Sequence, residues 1–180
     1  SLHRLVGRFP VGDAFISLCA GYLPYISIAV FGVVMFIMTD GKKSAFLRRS
    51  ERVRHALACV MGLSVTFGVV IPGIHLVWRV ARPFATFGWD PLITMAKEAP
   101  SFPSGHATFM FFLAAYASRH RHRAGHWLLV IAVANAFARS YVGVHWASDL
   151  LAGAFLGVCA AYIADRAAPK LHAPEGGGVY

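Results

Sequence analysis

The chain has 180 residues, 57% apolar and 14% charged, with mean hydropathy +0.58 and a formal net charge of +9 from 17 Lys and Arg against 8 Asp and Glu. Soluble domains run at about 45–50% apolar and about 25% charged, so the composition excludes an ordinary water-soluble domain and points to a single all-α, polytopic membrane bundle spanning 1–180. The basic balance alone would suit nucleic acid, but the Lys and Arg residues cluster between apolar runs, where they read as topology signals or anionic-lipid contacts, and no nucleic-acid partner is expected.

Residues 1–14 interleave His3, Arg4 and Arg8 with Leu2, Leu5, Val6 and Phe9, a pattern that fits either a short helix on the membrane surface or a loosely ordered terminus. A bilayer crossing takes roughly 20 mostly apolar residues. Residues 15–38 and 55–78 qualify, and 105–118, 127–143 and 146–164 supply three shorter runs, giving about five transmembrane helices. Pro24 and Pro72 fall inside spans, where they are tolerated because neighbouring groups satisfy the freed backbone, and where they are expected to kink the helix. Cys19, Cys59 and Cys159 lie in apolar segments at wide spacing, which argues against a disulfide framework or a zinc site. The end of the chain, about 168–180 with its EGGG run, reads as a flexible tail.

Charge sets the orientation. Residues 39–54 carry Lys42, Lys43, Arg48, Arg49, Arg52 and Arg54, residues 119–126 carry Arg119, Arg121 and Arg123, and the tail carries Arg166 and Lys170. With five spans these segments share one side, which the positive-inside rule makes the cytoplasm. Residues 79–104 and 139–148 then face the other side.

That outer side collects the polar residues that an apolar chain otherwise avoids, in three stretches: His75–Pro83, Pro103–His106 and Arg139–Asp149. His145 and Asp149 are four residues apart, on one face if a helix starts near His145. A carboxylate on one imidazole nitrogen fixes the tautomer and leaves the other nitrogen as a nucleophile. Arg139 offers planar, bidentate donors to phosphoryl oxygens, although an arginine at a helix end also snorkels and an aspartate also caps. Ser104 and Gly105 open a helix, where free N–H groups and a hydroxyl cradle an anion, and His106 is placed to donate a proton; a plain Ser N-cap is the alternative. Arg82, before Pro83, is biased to extended backbone. His75 and Arg79 are also four apart, and each reads equally as a phosphate contact or as an interfacial residue. Asp149 is the sole carboxylate of the three stretches, so a two-metal site lacks ligands and no metal or cofactor is expected.

These stretches, in this order, resemble the type 2 phosphatidic acid phosphatase (PAP2) superfamily of membrane lipid phosphatases, whose pattern is Lys-x6-Arg-Pro, Pro-Ser-Gly-His and Ser-Arg-x5-His-x3-Asp. Arg82-Pro83 matches the end of the first motif, Pro103-Ser104-Gly105-His106 the whole second, and Arg139, His145 and Asp149 the third. The match covers residues 75–149. Two positions depart: His75 stands at the family's lysine and Ala138 at its serine. A protonated His75 could still bind phosphate, or Arg79 could replace the lysine. The resemblance implies that His145 attacks phosphorus to form a phosphohistidine and that Asp149 orients it. It also implies that His106 protonates the leaving oxygen and then activates water, while Arg82, Arg139, Ser104 and the Gly105 N–H hold the oxygens.

The short plan, and the RPF and APSFPSGHATF sequences, are similar to the bacterial undecaprenyl diphosphate phosphatases of this family. That resemblance implies a multi-pass protein of the bacterial inner membrane, with its site on the periplasmic side and a membrane lipid phosphate as substrate. Undecaprenyl diphosphate is the first expectation, then phosphatidylglycerophosphate or phosphatidic acid, then lipid A phosphate. Asp90, Lys97 and Glu98 could tune that choice or be a solvated loop. A lipid-binding or transport protein that kept the phosphate grip is the rival of another class. The sequence leaves the oligomeric state open.

Overall fold

The computed structural model describes residues 6–38 and 45–168, and every regular element among them is helical. Helix α1 is Pro10–Met38. Proline suits a helix start, where its missing N–H has no intrahelical acceptor. Asp13 in the first turn favours the positive helix end and accepts from Gly7 N (2.7 Å) and Tyr141 Oη (2.8 Å). Of residues 1–14, expected as either a short surface helix or a loosely ordered terminus, residues 6–8 form a turn, Pro10 onward belongs to α1, and residues 1–5 lie outside the described residues.

The buried positions of α1 are Asp13, Ala20, Pro24 and Ser27, a single inward stripe, whereas Phe15, Leu18, Tyr22 and Ile26 are exposed. Apolar side chains pointing outward around an inward stripe of small and polar ones is what a lipid solvent selects.

Helix α2 (Ala45–Val65) runs through a π-helical turn (Thr66–Val70) into α3 (Ile71–Val77). The turn sits directly before Pro72, whose ring would crowd the carbonyl four residues back; the wider π geometry accommodates it. Residues 39–54 were expected to be a connector, but Arg49, Arg52 and Arg54 are helical, and Lys42 and Lys43 lie outside the described residues. A short α4 (Pro83–Phe87) follows an extended stretch.

Helix α5 (Gly105–His120) is central, packed most extensively on α7 (Ala147–Ala167) and α6 (His122–Tyr141). The expected loop 119–126 reduces to Arg121, because α5 and α6 extend through the basic residues; Arg119 and His120 bind Asp165 of α7 at 2.8 and 3.0 Å. Gly153 and Gly157 let α5 and α7 touch backbone to backbone: a Cβ on Gly157 would lie 2.2 Å from Thr108 O, and one on Gly153 2.5 Å from Ser104 O. Small residues four apart are how membrane helices approach closely.

Three described helical stretches, Pro10–Phe36, Arg49–Val77 and Ala147–Ala167, are long and apolar enough to cross a membrane. The other two expected spans are helical as well, as α5 and α6, but are shorter or less apolar than those three. Helix α5 has 16 residues, about 24 Å at ~1.5 Å each, and is walled by other helices rather than by lipid. Helix α6 turns Leu128, Ala132, Asn135 and Arg139 inward and Trp127, Val130 and Phe137 outward. The expected tail, from 169 on, lies outside the described residues.

Candidate active site

The segment from Trp78 to Ser104 crosses one end of the bundle. Trp78 is extended (φ −131°, ψ 92°), so the helix ends at Val77, and the expected single face for His75 and Arg79 is not formed. Arg79 is exposed, and its charge and that of Arg82 both reach His75. His75 is half-buried at the end of α3, with its Nε2 buried and unpartnered among the described residues.

Arg82 is extended before Pro83 (φ −71°, ψ 151°), as the proline dictates, and is buried. Its guanidinium is a strut. Nε donates to Ala99 O (3.2 Å), Nη2 to Pro100 O (3.2 Å) and Nη1 to Val144 O (2.9 Å), joining the loop before α5 to the loop before α7. Nη1 also stands 3.4 Å from His145 Nε2. Arg82 therefore faces the reactive edge of the imidazole, but most of its donors already hold carbonyls.

His145 lies just before α7 and is 4% exposed; Asp149, in the first turn, is wholly buried. Asp149 Oδ2 accepts from Trp146 N (2.8 Å) and from the Ser101 hydroxyl in a short bond, and stands 3.5 Å from His145 Nδ1. Ser101 Oγ is itself 3.5 Å from that nitrogen. The carboxylate thus caps its helix and backs the histidine at once. Burial, reinforced by the charges of Arg139 and Arg82 and opposed by Asp149, holds the His145 imidazole down to about 4. It is neutral at physiological pH, with Nε2 able to carry a lone pair.

Ser104 caps α5, accepting from Ala107 N (3.4 Å), and its N–H donates to Asp149 O (3.0 Å). The capping alternative is thus realised. The hydroxyl proton remains available to a further acceptor, and the Gly105 and His106 N–H groups fall in a first turn that offers no intrahelical acceptor. Gly105 and His106 line an open cavity of about 570 Å³, whose other walls include Tyr25 and Ile28 of α1, Leu63 of α2 and Phe67 of the π turn. Arg139, Arg82 and His145 all act electrostatically on His106, so the four groups share one neighbourhood.

Arg139 does not snorkel. It is 2% exposed, with Nη1 on Ala20 O (3.3 Å) and Nε and Nη2 buried without a partner among the described residues. Two buried, unpaired guanidinium nitrogens are costly unless an anion completes them.

The sequence-named residues Arg82, Ser104, Gly105, His106, Arg139, His145 and Asp149 thus gather at one end of the bundle, where Arg79 is exposed. Ser101 and Asn135 went unread. No motif contains them, and the one available signal was that a polar residue inside the apolar α6 run needs a partner. Among the described residues no group of three or more His, Cys, Asp or Glu is arranged to hold a metal ion.

Two buried arginines, His106 and a carboxylate-backed His145 gathered at one end of a bundle of apolar helices are the arrangement expected of a membrane-embedded phosphatase. Residues 54–172 match the PAP2 superfamily. A protein of Escherichia coli (strain K12) described as putative undecaprenyl-diphosphatase YbjG is 37% identical over 160 residues, 88% of this chain and 76% of that protein. The bacitracin transport permease protein BcrC of Bacillus licheniformis is 29% identical over 153 residues, 84% of this chain and 70% of that one. The crystal structure of a transmembrane PAP2 type phosphatidylglycerolphosphate phosphatase from Bacillus subtilis aligns over 92% of this chain and 89% of its own, at 20% identity and a TM-score of 0.44. The chain belongs to the PAP2 superfamily.

Proposed function

We propose that the protein removes the terminal phosphate of undecaprenyl diphosphate through a phosphohistidine. The observation that carries this reading is the buried His145, its Nδ1 facing Asp149 and its Nε2 facing Arg82. The Nε2 lone pair attacks the terminal phosphorus, and the bond from phosphorus to the bridging oxygen breaks. His106 gives its proton to that oxygen, and undecaprenyl phosphate leaves. His106 then takes a proton from water, whose oxygen attacks phosphorus, breaking the N–P bond and releasing inorganic phosphate. Arg139, Arg82, Ser104 and the Gly105 N–H hold the equatorial oxygens; such catalysis is mostly positioning and charge stabilisation.

Support for a lipid substrate comes from the cavity, apolar on the α1 and α2 side and ending at His106. Support for the diphosphate comes from the name of the Escherichia coli relative. A diphosphate also leaves as a stable phosphate monoester and asks less of His106 than an alkoxide would. Phosphatidylglycerophosphate, phosphatidic acid and lipid A phosphate are the alternatives. The site faces the periplasm of a bacterial inner membrane, with α5 and α6 crossing as the third and fourth of five spans. Phe87 stacks on Trp89 and meets Trp146, and Trp78 lies against Phe102, aromatic contacts of the kind that membrane interfaces favour. The whole chain acts as one domain and needs no metal, since Asp149 is the lone carboxylate of the site.

A transport role is the second reading, favoured by the name of the Bacillus licheniformis relative. Purified protein in detergent with chelator is given each lipid phosphate in turn. Fastest phosphate release from undecaprenyl diphosphate, with a base-stable, acid-labile phosphoprotein on rapid quench that His145→Ala lacks, is the expected result. Faster release from another lipid overturns the substrate. No release from any of them, with His145→Ala indistinguishable from wild type, leaves the transport reading.

A further inference from the structure

Arg139 is held by an acceptor that an ordinary helix does not offer. Its Nη1 donates to the Ala20 carbonyl at 3.3 Å. Asn135, one turn earlier on α6, sends Nδ2 to the same carbonyl (3.2 Å) and to that of Cys19 (2.9 Å). Within an α-helix each carbonyl is taken by the N–H four residues on. Four residues on from Ala20 is Pro24, which has no N–H. The Ala20 oxygen is therefore open by covalent structure. Pro24 and Ala20 lie on the same buried stripe of α1, so the open carbonyl faces α6.

The tie also fixes which edge of the guanidinium is used. With Nη1 engaged, Nε–H and the Nη2 proton beside it remain, and both nitrogens are buried without a partner. Those two parallel donors form the side-on edge that matches two oxygens of a phosphoryl group. Arg82 differs: its Nε and Nη2 are both on backbone carbonyls. Of the two arginines, Arg139 alone keeps a complete fork for an anion.

We propose that Asn135 and Pro24 are positioning residues for Arg139. Pro24 frees the Ala20 carbonyl, Asn135 holds that carbonyl against α6, and the pair anchors Nη1 so that the Nε–Nη2 edge faces the transferring phosphoryl group. The proposal rests on the phosphatase reading and adds α1, which carries none of the family motifs, to the machinery that sets the site's geometry.

The test makes Pro24→Ala, which restores an N–H to compete for the carbonyl, and Asn135→Ala, each in the wild type and in Arg139→Ala. Vanadate, a phosphoryl mimic, is titrated by calorimetry in detergent, and kcat, KM and the melting midpoint are measured beside it. Each single change is expected to weaken vanadate binding and lower kcat by about tenfold, the scale of one hydrogen bond to a charged group, with KM and melting little moved. In the Arg139→Ala background neither change should act further. Equal losses in both backgrounds, or unchanged vanadate binding in the single variants, overturn the proposal; should Pro24→Ala not fold, Asn135→Ala decides alone. Wild-type protein that binds vanadate without hydrolysing undecaprenyl diphosphate refutes the substrate and leaves this test readable. Wild-type protein that does not bind vanadate overturns the proposal itself.

Discussion

Gly157→Ala is the sharpest test of how the scaffold holds the site. The new Cβ would lie 2.2 Å from Thr108 O and 2.9 Å from Phe112 N. Both are backbone atoms in the middle of α5, and no side-chain rotation relieves them. Ordinary carbon–oxygen contacts in packed helices begin near ~3.3 Å, so α5 and α7 must part by about 1 Å. Overpacking on this scale costs about 1–3 kcal/mol, which at this chain length lowers the melting midpoint by roughly 2–12 °C. The same parting separates Ser104 N from Asp149 O, 3.0 Å apart where the two helices start. A displacement of ~1 Å at a reacting centre costs about 100-fold in rate. Gly32→Ala, in α1 with nothing within 4 Å of its Cβ, is the control; it should keep full activity and gain up to about 1 kcal/mol from helix propensity. Tryptophan fluorescence during heating and phosphate release from a lipid diphosphate read both quantities. A Gly157→Ala protein that melts and turns over like wild type would refute the argument that this contact sets the site.

Two further outcomes concern the histidine. Asp149→Asn should lower kcat by about 100-fold or more with KM little changed, since the carboxylate acts on the chemical step; Ser101→Ala, which removes one donor to that carboxylate, should cost about tenfold, and an equal rise in KM for either would show that they serve binding instead. Because burial holds His145 near 4, its neutral form persists as pH falls and is lost only on passing that value. An imidazole NMR titration, with His145→Gln to assign the signal, should find it neutral at about pH 5, and a midpoint near the usual ~6.5 would refute the burial argument.

The site was legible where its chemistry is carried by residues at fixed spacing. His145 and Asp149, and the Ser104–His106 opening of α5, followed from helix periodicity and capping. What stayed hidden depends on contacts between distant segments. The Ser101 bond to Asp149 spans 48 residues, and the Asn135 bonds to α1 span more than a hundred. Pro83 predicts the extended backbone of Arg82 and the family resemblance implies its phosphate contact, but its strut bonds to residues 99, 100 and 144 appear only on folding. Hydropathy and length mark three of the five expected spans and leave α5 and α6 less marked, for a related reason. Hydropathy reports what lipid would accept, and α5 has helices as its solvent on most sides. The shared face of His75 and Arg79 is not formed because Trp78 leaves the helix, and a periodicity argument does not survive the end of its helix.

The α5–α7 pair is pinned at three heights. Ser104 meets Asp149 at one end, Gly153 and Gly157 lock the middle, and Arg119 and His120 grip Asp165 at the other. Sliding by one helical turn would break all three together. The pair is therefore a stiff spine, and it fixes the separation of the two histidines proposed to act on phosphorus, His106 on α5 and His145 ahead of α7, independently of the rest of the bundle.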